Sequence, residues 1–137
     1  MAAQFLAVNM VTPKGVVAHT NTDSVQAPGE LGAFELLPGH VPLLSALQPG
    51  VLTIGGKPPA RYAVSSGYLR VDPAGAVEIL VEQAVPAGEI DVEAARADLK
   101  TGEAELAKWG DRALDGDYTN LVQRVGWARA RIDAASH

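Results

Sequence analysis

The residues able to do chemistry are few and scattered. The histidines are His19, His40 and His137, with no His-x-His or His-x-x-x-His pair among them. A metal site would need ligands gathered from distant segments. The serines at positions 24, 45, 65, 66 and 136 include none in a Gly-x-Ser-x-Gly elbow. Gly29-x-x-Gly32 lacks the lysine of a phosphate loop and the helix that must follow it. Glu103 and Glu105 stand two apart in a helical segment, so they face different directions. There is no cysteine, which excludes disulfides and thiolate chemistry. No base, nucleophile or metal set converges, and the sequence predicts no catalytic residue and no metal ligand.

The elements around these residues fall into two halves. From Phe5 to about Ala84 apolar residues alternate with period two, as half-buried strands require. Leu6, Val8 and Met10 share a face, as do Leu52 and Ile54, Leu69 and Val71, and Val77, Ile79 and Val81. Turn signals recur at Pro13-Lys14-Gly15, Asn21-Thr22-Asp23, Pro49-Gly50, Gly55-Gly56-Lys57-Pro58-Pro59 and Asp72-Pro73-Ala74-Gly75. Eight to ten short strands so punctuated predict a β-sandwich over residues 1–88.

After Pro86-Ala87-Gly88 the period changes. Asp91 is placed to cap a helix, and Ala95, Leu99, Gly102, Leu106 and Trp109 form a stripe at helical spacing. Gly110-Asp111 and Asp115-Gly116-Asp117 interrupt it. A second helix, from about Tyr118 to Ala134, carries the stripe Tyr118, Leu121, Val122, Val125 and Ile132. Residues 89–137 therefore predict an antiparallel α-helical hairpin closed along both stripes, since neither helix is stable alone at this length.

Composition narrows the function classes. Of 137 residues 47% are apolar and 20% charged, which suits a globular chain. The net charge is −5, with four basic against six acidic residues in 1–88 and seven against ten in 89–137. Neither half offers the basic face that nucleic-acid binding needs. The opening MAAQFLAVNMVTPKG has no basic leader with an apolar core, so no signal peptide is expected. No apolar run approaches the roughly 18 residues of a membrane span, and any membrane role is expected to run through partners.

One stretch is over-specified for a sandwich loop: GELGAFELLPGHVPLLSALQPG, Gly29 to Gly50. Its pattern Gly32-x-Phe34-x-Leu36-Leu37-Pro38-Gly39-His40-x-Pro42-Leu43-Leu44, then Leu47-x-Pro49-Gly50, resembles the epsilon subunit of bacterial F-type ATP synthases, whose mitochondrial relative is called delta. Ser66-Gly67-Tyr68-Leu69-x-Val71 is similar to a further strand of that family, and Val77-x-Ile79-Leu80-Val81-x-x-Ala84 to the strand that closes its sandwich. Glu35 stands where the family has Gly, so the backbone there must tolerate a side chain.

The resemblance implies a non-catalytic subunit of the central stalk. It implies a sandwich set against the gamma subunit and the c-ring, coupling proton-driven rotation to ATP synthesis, and a hairpin that can regulate ATP hydrolysis. It implies peripheral attachment at the cytoplasmic face of the bacterial plasma membrane, with no cofactor. The loop residues Glu30, Phe34, Glu35, His40 and Pro42 become partner-contact candidates. Arg124, Arg129 and Arg131 become candidates for pairing with the catalytic alpha and beta subunits. Some members bind ATP on the hairpin through Ile/Leu-Asp-x-x-Arg-Ala. Here Ile90-Asp91 precedes Arg96-Ala97 by two residues too many, while Val92-Glu93-Ala94-Ala95-Arg96-Ala97 keeps the spacing with Glu for Asp. Arg96 and Arg124 are the residues that such binding would use. The alternative is a free-standing sandwich that binds a ligand or peptide, with the hairpin as a dimerisation arm.

Overall fold

The structure, a computed structural model, describes residues 5–39 and 42–136. Its ten strands are β1 (Leu6–Thr12), β2 (Gly15–Thr22), β3 (Val25–Gly29), β4 (Gly32–Leu36), β5 (Leu43–Leu47), β6 (Gly50–Ile54), β7 (Ala60–Val64), β8 (Gly67–Val71), β9 (Ala76–Val81) and β10 (Ala84–Pro86). A 3-10 turn at Ala87–Glu89 leads into α1 (Val92–Ala107) and α2 (Gly116–Ala135).

The strands run in the order β10-β7-β6-β3-β5-β8-β9-β1-β2, with β4 on the other edge of β3. All pairs are antiparallel except β1 with β9. The sheet turns over at β3. Val25 and Gln26 pair with Ile54 and Thr53 of β6, whereas Gly29 pairs with Leu47 of β5. One strand thus belongs to both layers, and a single core fills the space between them. Leu6, Val8 and Met10 meet Val25, Leu36, Leu52, Leu69, Val71, Val77 and Ile79 there, none more than 2% exposed. The inward residues are those of the period-two runs, because alternate side chains of a strand leave by opposite faces.

The two buried polar residues among those described, Thr22 and Ser65, are satisfied. The Thr22 hydroxyl donates to the Gly55 carbonyl at 2.7 Å, and Ser65 Oγ accepts from the Gln83 amide at 2.8 Å.

Both helices start where a carboxylate can take their free amides. Asp91 accepts from Ala94 N at 3.0 Å, and Asp115 from Asp117 N at 3.0 Å and Tyr118 N at 3.2 Å. The second helix therefore begins at Gly116, two residues before the start read from the pattern, because Asp115 supplies the cap. Leu121 and Val125 pack with Trp109, Leu99, Leu106 and Tyr118. Gly102 is required at the crossing: a Cβ there would lie 2.8 Å from Val125 Cγ2.

Part of the second stripe is misplaced. Val122 is 39% exposed, and Ile132 is only half-buried. Besides Leu121 and Val125, α2 buries Ala128, Ala130 and Ala134, which the stripe omits. Ala130 and Ala134 belong to a second contact, in which α2 lies on the outer face of β6 and β7. Ala130 and Ala134 close on Ala63, with Val51, Ile90 and Trp127 around them.

Candidate partner-contact surface

The predicted contact loop is built on β3 and β4. Gly29 turns the chain at the end of β3, and a Cβ there would lie 2.8 Å from the Phe34 ring and 2.5 Å from the Gly32 carbonyl. Phe34 is accordingly half-buried, lying over Gly29 and against the core. Glu30 is exposed at the turn, its amide fixed to the Ala46 carbonyl at 2.9 Å. Beside it Leu31 is fully exposed. Glu35 is exposed on β4 and accepts from Gln26 Nε2 at 3.2 Å. No described residue other than glycine has positive φ, so Glu35 occupies ordinary strand backbone and needs no glycine conformation. Pro42 is exposed, while His40 lies outside the described residues.

A larger feature lies next to this loop, and sequence patterning alone does not reveal it. The faces of the two layers are treated differently. The outer face of β6 and β7 is covered by α2. Among the described residues no helix covers the outer face of β5, β8, β9, β1 and β2. Its register aligns Val16 with Val11, Val11 with Leu80, Leu80 with Tyr68 and Tyr68 with Ala46. An apolar row therefore crosses five strands, about 19 Å at the usual strand spacing. Val16, Tyr68 and Leu80 are 64%, 58% and 52% exposed, and Leu44 at the next position of β5 is 69% exposed. The row beside it, which ends at Leu44, is polar on the other four strands: His19, Asn9, Glu78 and Arg70, the last two paired at 2.8 Å. The apolar row drops into a groove of about 550 Å³ bordered by Pro13, Glu30 and Glu82. Contiguous apolar surface of this kind on a charged chain marks a contact with another macromolecule. The signal available in the sequence was the set of large apolar residues on the supposed solvent side, Tyr68 opposite Leu69 and Leu80 opposite Ile79.

The hairpin residues suggested for ATP are not brought together. Arg124 lines a cleft of about 310 Å³ with Asp98, Thr101, Gly102, Trp127 and Arg131, but Arg96 does not. The cations are already paired: Arg96 with Glu93 at 3.1 Å, Arg124 with Glu105 at 2.9 Å, Arg129 with Glu103 at 2.8 Å and Arg131 with Asp98 at 2.7 Å. The last three tie α2 to α1. Phosphates in this cleft would have to displace Glu105 and Asp98 from Arg124 and Arg131. Among the described residues no three His, Asp or Glu side chains gather as a metal group, and no helix is long and apolar enough to cross a membrane.

The fold is a β-sandwich with one outer face covered by α2 and the other open among the described residues. The comparisons say which kind. Residues 5–87 match the family described as ATP synthase, Delta/Epsilon chain, beta-sandwich domain. The ATP synthase epsilon chain of Geobacter metallireducens is 42% identical over 135 residues, 97% of this chain and 95% of that one. The ATP synthase epsilon chain 2 of Syntrophotalea carbinolica is 38% identical over 134 residues, with the same coverage. Among solved structures, a chain of the Euglena gracilis mitochondrial ATP synthase (OSCP/F1/c-ring, rotational state 1) shares the fold with a TM-score of 0.81 at 20% identity, covering 100% of this chain and 84% of that one. A chain of the Tetrahymena thermophila mitochondrial ATP synthase central stalk and c-ring gives 0.63 at 19% identity, covering 99% and 100%. The chain belongs to the ATP synthase delta/epsilon family.

Proposed function

We propose that this chain is a non-catalytic epsilon-type subunit in the central stalk of an F-type ATP synthase, where it joins the rotor and couples c-ring rotation to ATP synthesis. The bare apolar row Val16–Val11–Leu80–Tyr68–Ala46 carries this reading, because a rotor part needs a stiff body and a permanent contact rather than a nucleophile. Relatives matched over 97% of the chain support it. The gamma subunit is the partner assigned to the row, and the c-ring is assigned to the Glu30–Leu31 turn with Glu35 and Pro42. The subunit then sits peripherally at the cytoplasmic face of the bacterial plasma membrane, held there by its partners.

The hairpin is not shaped as a dimerisation arm. The apolar side of α2 is divided between α1 and the chain's own sandwich, which leaves little to offer a second copy. The test is purification of a tagged chain from detergent-solubilised membranes. Gamma and c subunits are expected to elute with it in fixed ratio, and elution of the chain alone would overturn the reading.

A further inference from the structure

The contact between hairpin and sandwich has a peculiar chemistry. Its apolar part is thin: the methyl groups of Ala63, Ala130 and Ala134, with Val51, Ile90 and Trp127 half-buried at its margin. Gly126 approaches Pro49 closely at the other end of the seam. At the C-terminal end of α2 the seam becomes polar. Arg61, two residues before Ala63 on the same face of β7, donates from Nη2 to the Asp133 carbonyl at 3.4 Å. The distance is long for a hydrogen bond but short for a cation facing a helix terminus. Arg61 Nε is buried without a hydrogen-bond partner, so part of the guanidinium has left water to reach this place.

The end of α2 needs such a group. A helix terminates in carbonyls with no intrahelical donor and carries partial negative charge there. The last turn of α2 holds no basic residue. Ser136 meets part of the demand, its amide donating to the Asp133 carbonyl at 3.3 Å and its hydroxyl to the Ile132 carbonyl at 2.6 Å. The positive charge is supplied by another part of the chain, 72 residues away in sequence. By contrast, the α1–α2 seam has large buried side chains and three ion pairs of its own.

We propose that Arg61 is a latch: by capping the C-terminus of α2 from the sandwich, it makes docking of the hairpin and order in the last turn of α2 a single event. Release at Arg61 frees the hairpin from β6 and β7 while α1 and α2 stay paired. This goes beyond the stalk reading and does not depend on it, since the latch lies on the face opposite the apolar row.

Amide hydrogen exchange on the 137-residue chain tests it. In Arg61→Gln the amides of Ala134, Ala135 and Ser136 are expected to exchange about tenfold faster, the scale of a lost charge–helix-end contact. Those of Leu121 and Val125 keep their rates, and Leu52 and Val64 report an intact sandwich. Arg61→Lys, which keeps the charge without the fork, is expected to recover part of the protection. Ala130→Glu, which wedges the seam open, is expected to give the same acceleration, with no further gain when combined with Arg61→Gln. Unchanged exchange at 134–136, equal acceleration at Leu121 and Val125, or Lys behaving like Gln would each overturn the latch.

Discussion

Leu80→Asp is the sharpest test of the docking face. Leu80 sits at the centre of the apolar row, flanked by Val11 and Tyr68, and 52% of its surface is exposed. Covering that half with a partner is worth about 1 kcal/mol, half of the ~2 kcal/mol for a fully buried leucine. A carboxylate forced into the covered row without a counter-charge costs roughly a further 3 kcal/mol. The total of about 4 kcal/mol corresponds to about a thousandfold loss of affinity. Leu80→Ala, which removes apolar area but adds no charge, is expected to lose only about fivefold. The free chain should hardly notice either change, because the side chain points away from the core, and stability should move by about 0.5 kcal/mol. The assay is titration of each variant with the gamma subunit, alongside thermal unfolding of the free chain. Wild-type affinity for a folded Leu80→Asp would show that the row is not the interface, and a collapse of thermal stability would show that the face is part of the core.

Three further outcomes follow from the same structure. Glu30→Lys reverses the charge at the exposed β3–β4 turn and is expected to weaken coupling between hydrolysis and proton pumping in inverted vesicles. Unchanged coupling would remove the turn from the c-ring contact. Gly102→Val puts a branched side chain where even a Cβ meets Val125 at 2.8 Å, and about 1–3 kcal/mol of overpacking is expected to fray the hairpin; helical circular dichroism should fall while the sheet signal persists. Since the hairpin arginines are engaged by Glu93, Asp98, Glu103 and Glu105, calorimetry at millimolar ATP is expected to give no binding heat, and a saturable heat would show that nucleotide displaces these carboxylates.

Much of the fold was legible because its signals are local. Period two places Leu6, Val8 and Met10 on one side whatever they face, and Asp91 announces a helix by its position alone. The second helix was read less well. Its pattern promotes Val122 and Ile132 because they are large and correctly spaced, and passes over Ala128, Ala130 and Ala134, which are small enough to look indifferent. Ala130 and Ala134 are buried because a sheet face comes close to them, and nothing within the helix records how near that face lies. The loop from Gly29 to Gly50 stood out for a different reason. Its Gly and Pro spacing carries a family resemblance, but the role of Phe34 as a lid over Gly29 emerged only from the packing.

The sequence by itself determined which residues alternate and that a pair of helices follows the strands. Tertiary structure decided which of the two solvent-side faces stays open. Strand register lines up Val16, Val11, Leu80, Tyr68 and Ala46 from positions spread between 11 and 80, and α2 covers the opposite layer through three methyl groups and the Arg61 guanidinium. A strand's period assigns each side chain to one of two faces. It carries no information about what lies beyond that face, because that depends on pairings and packing between distant parts of the chain.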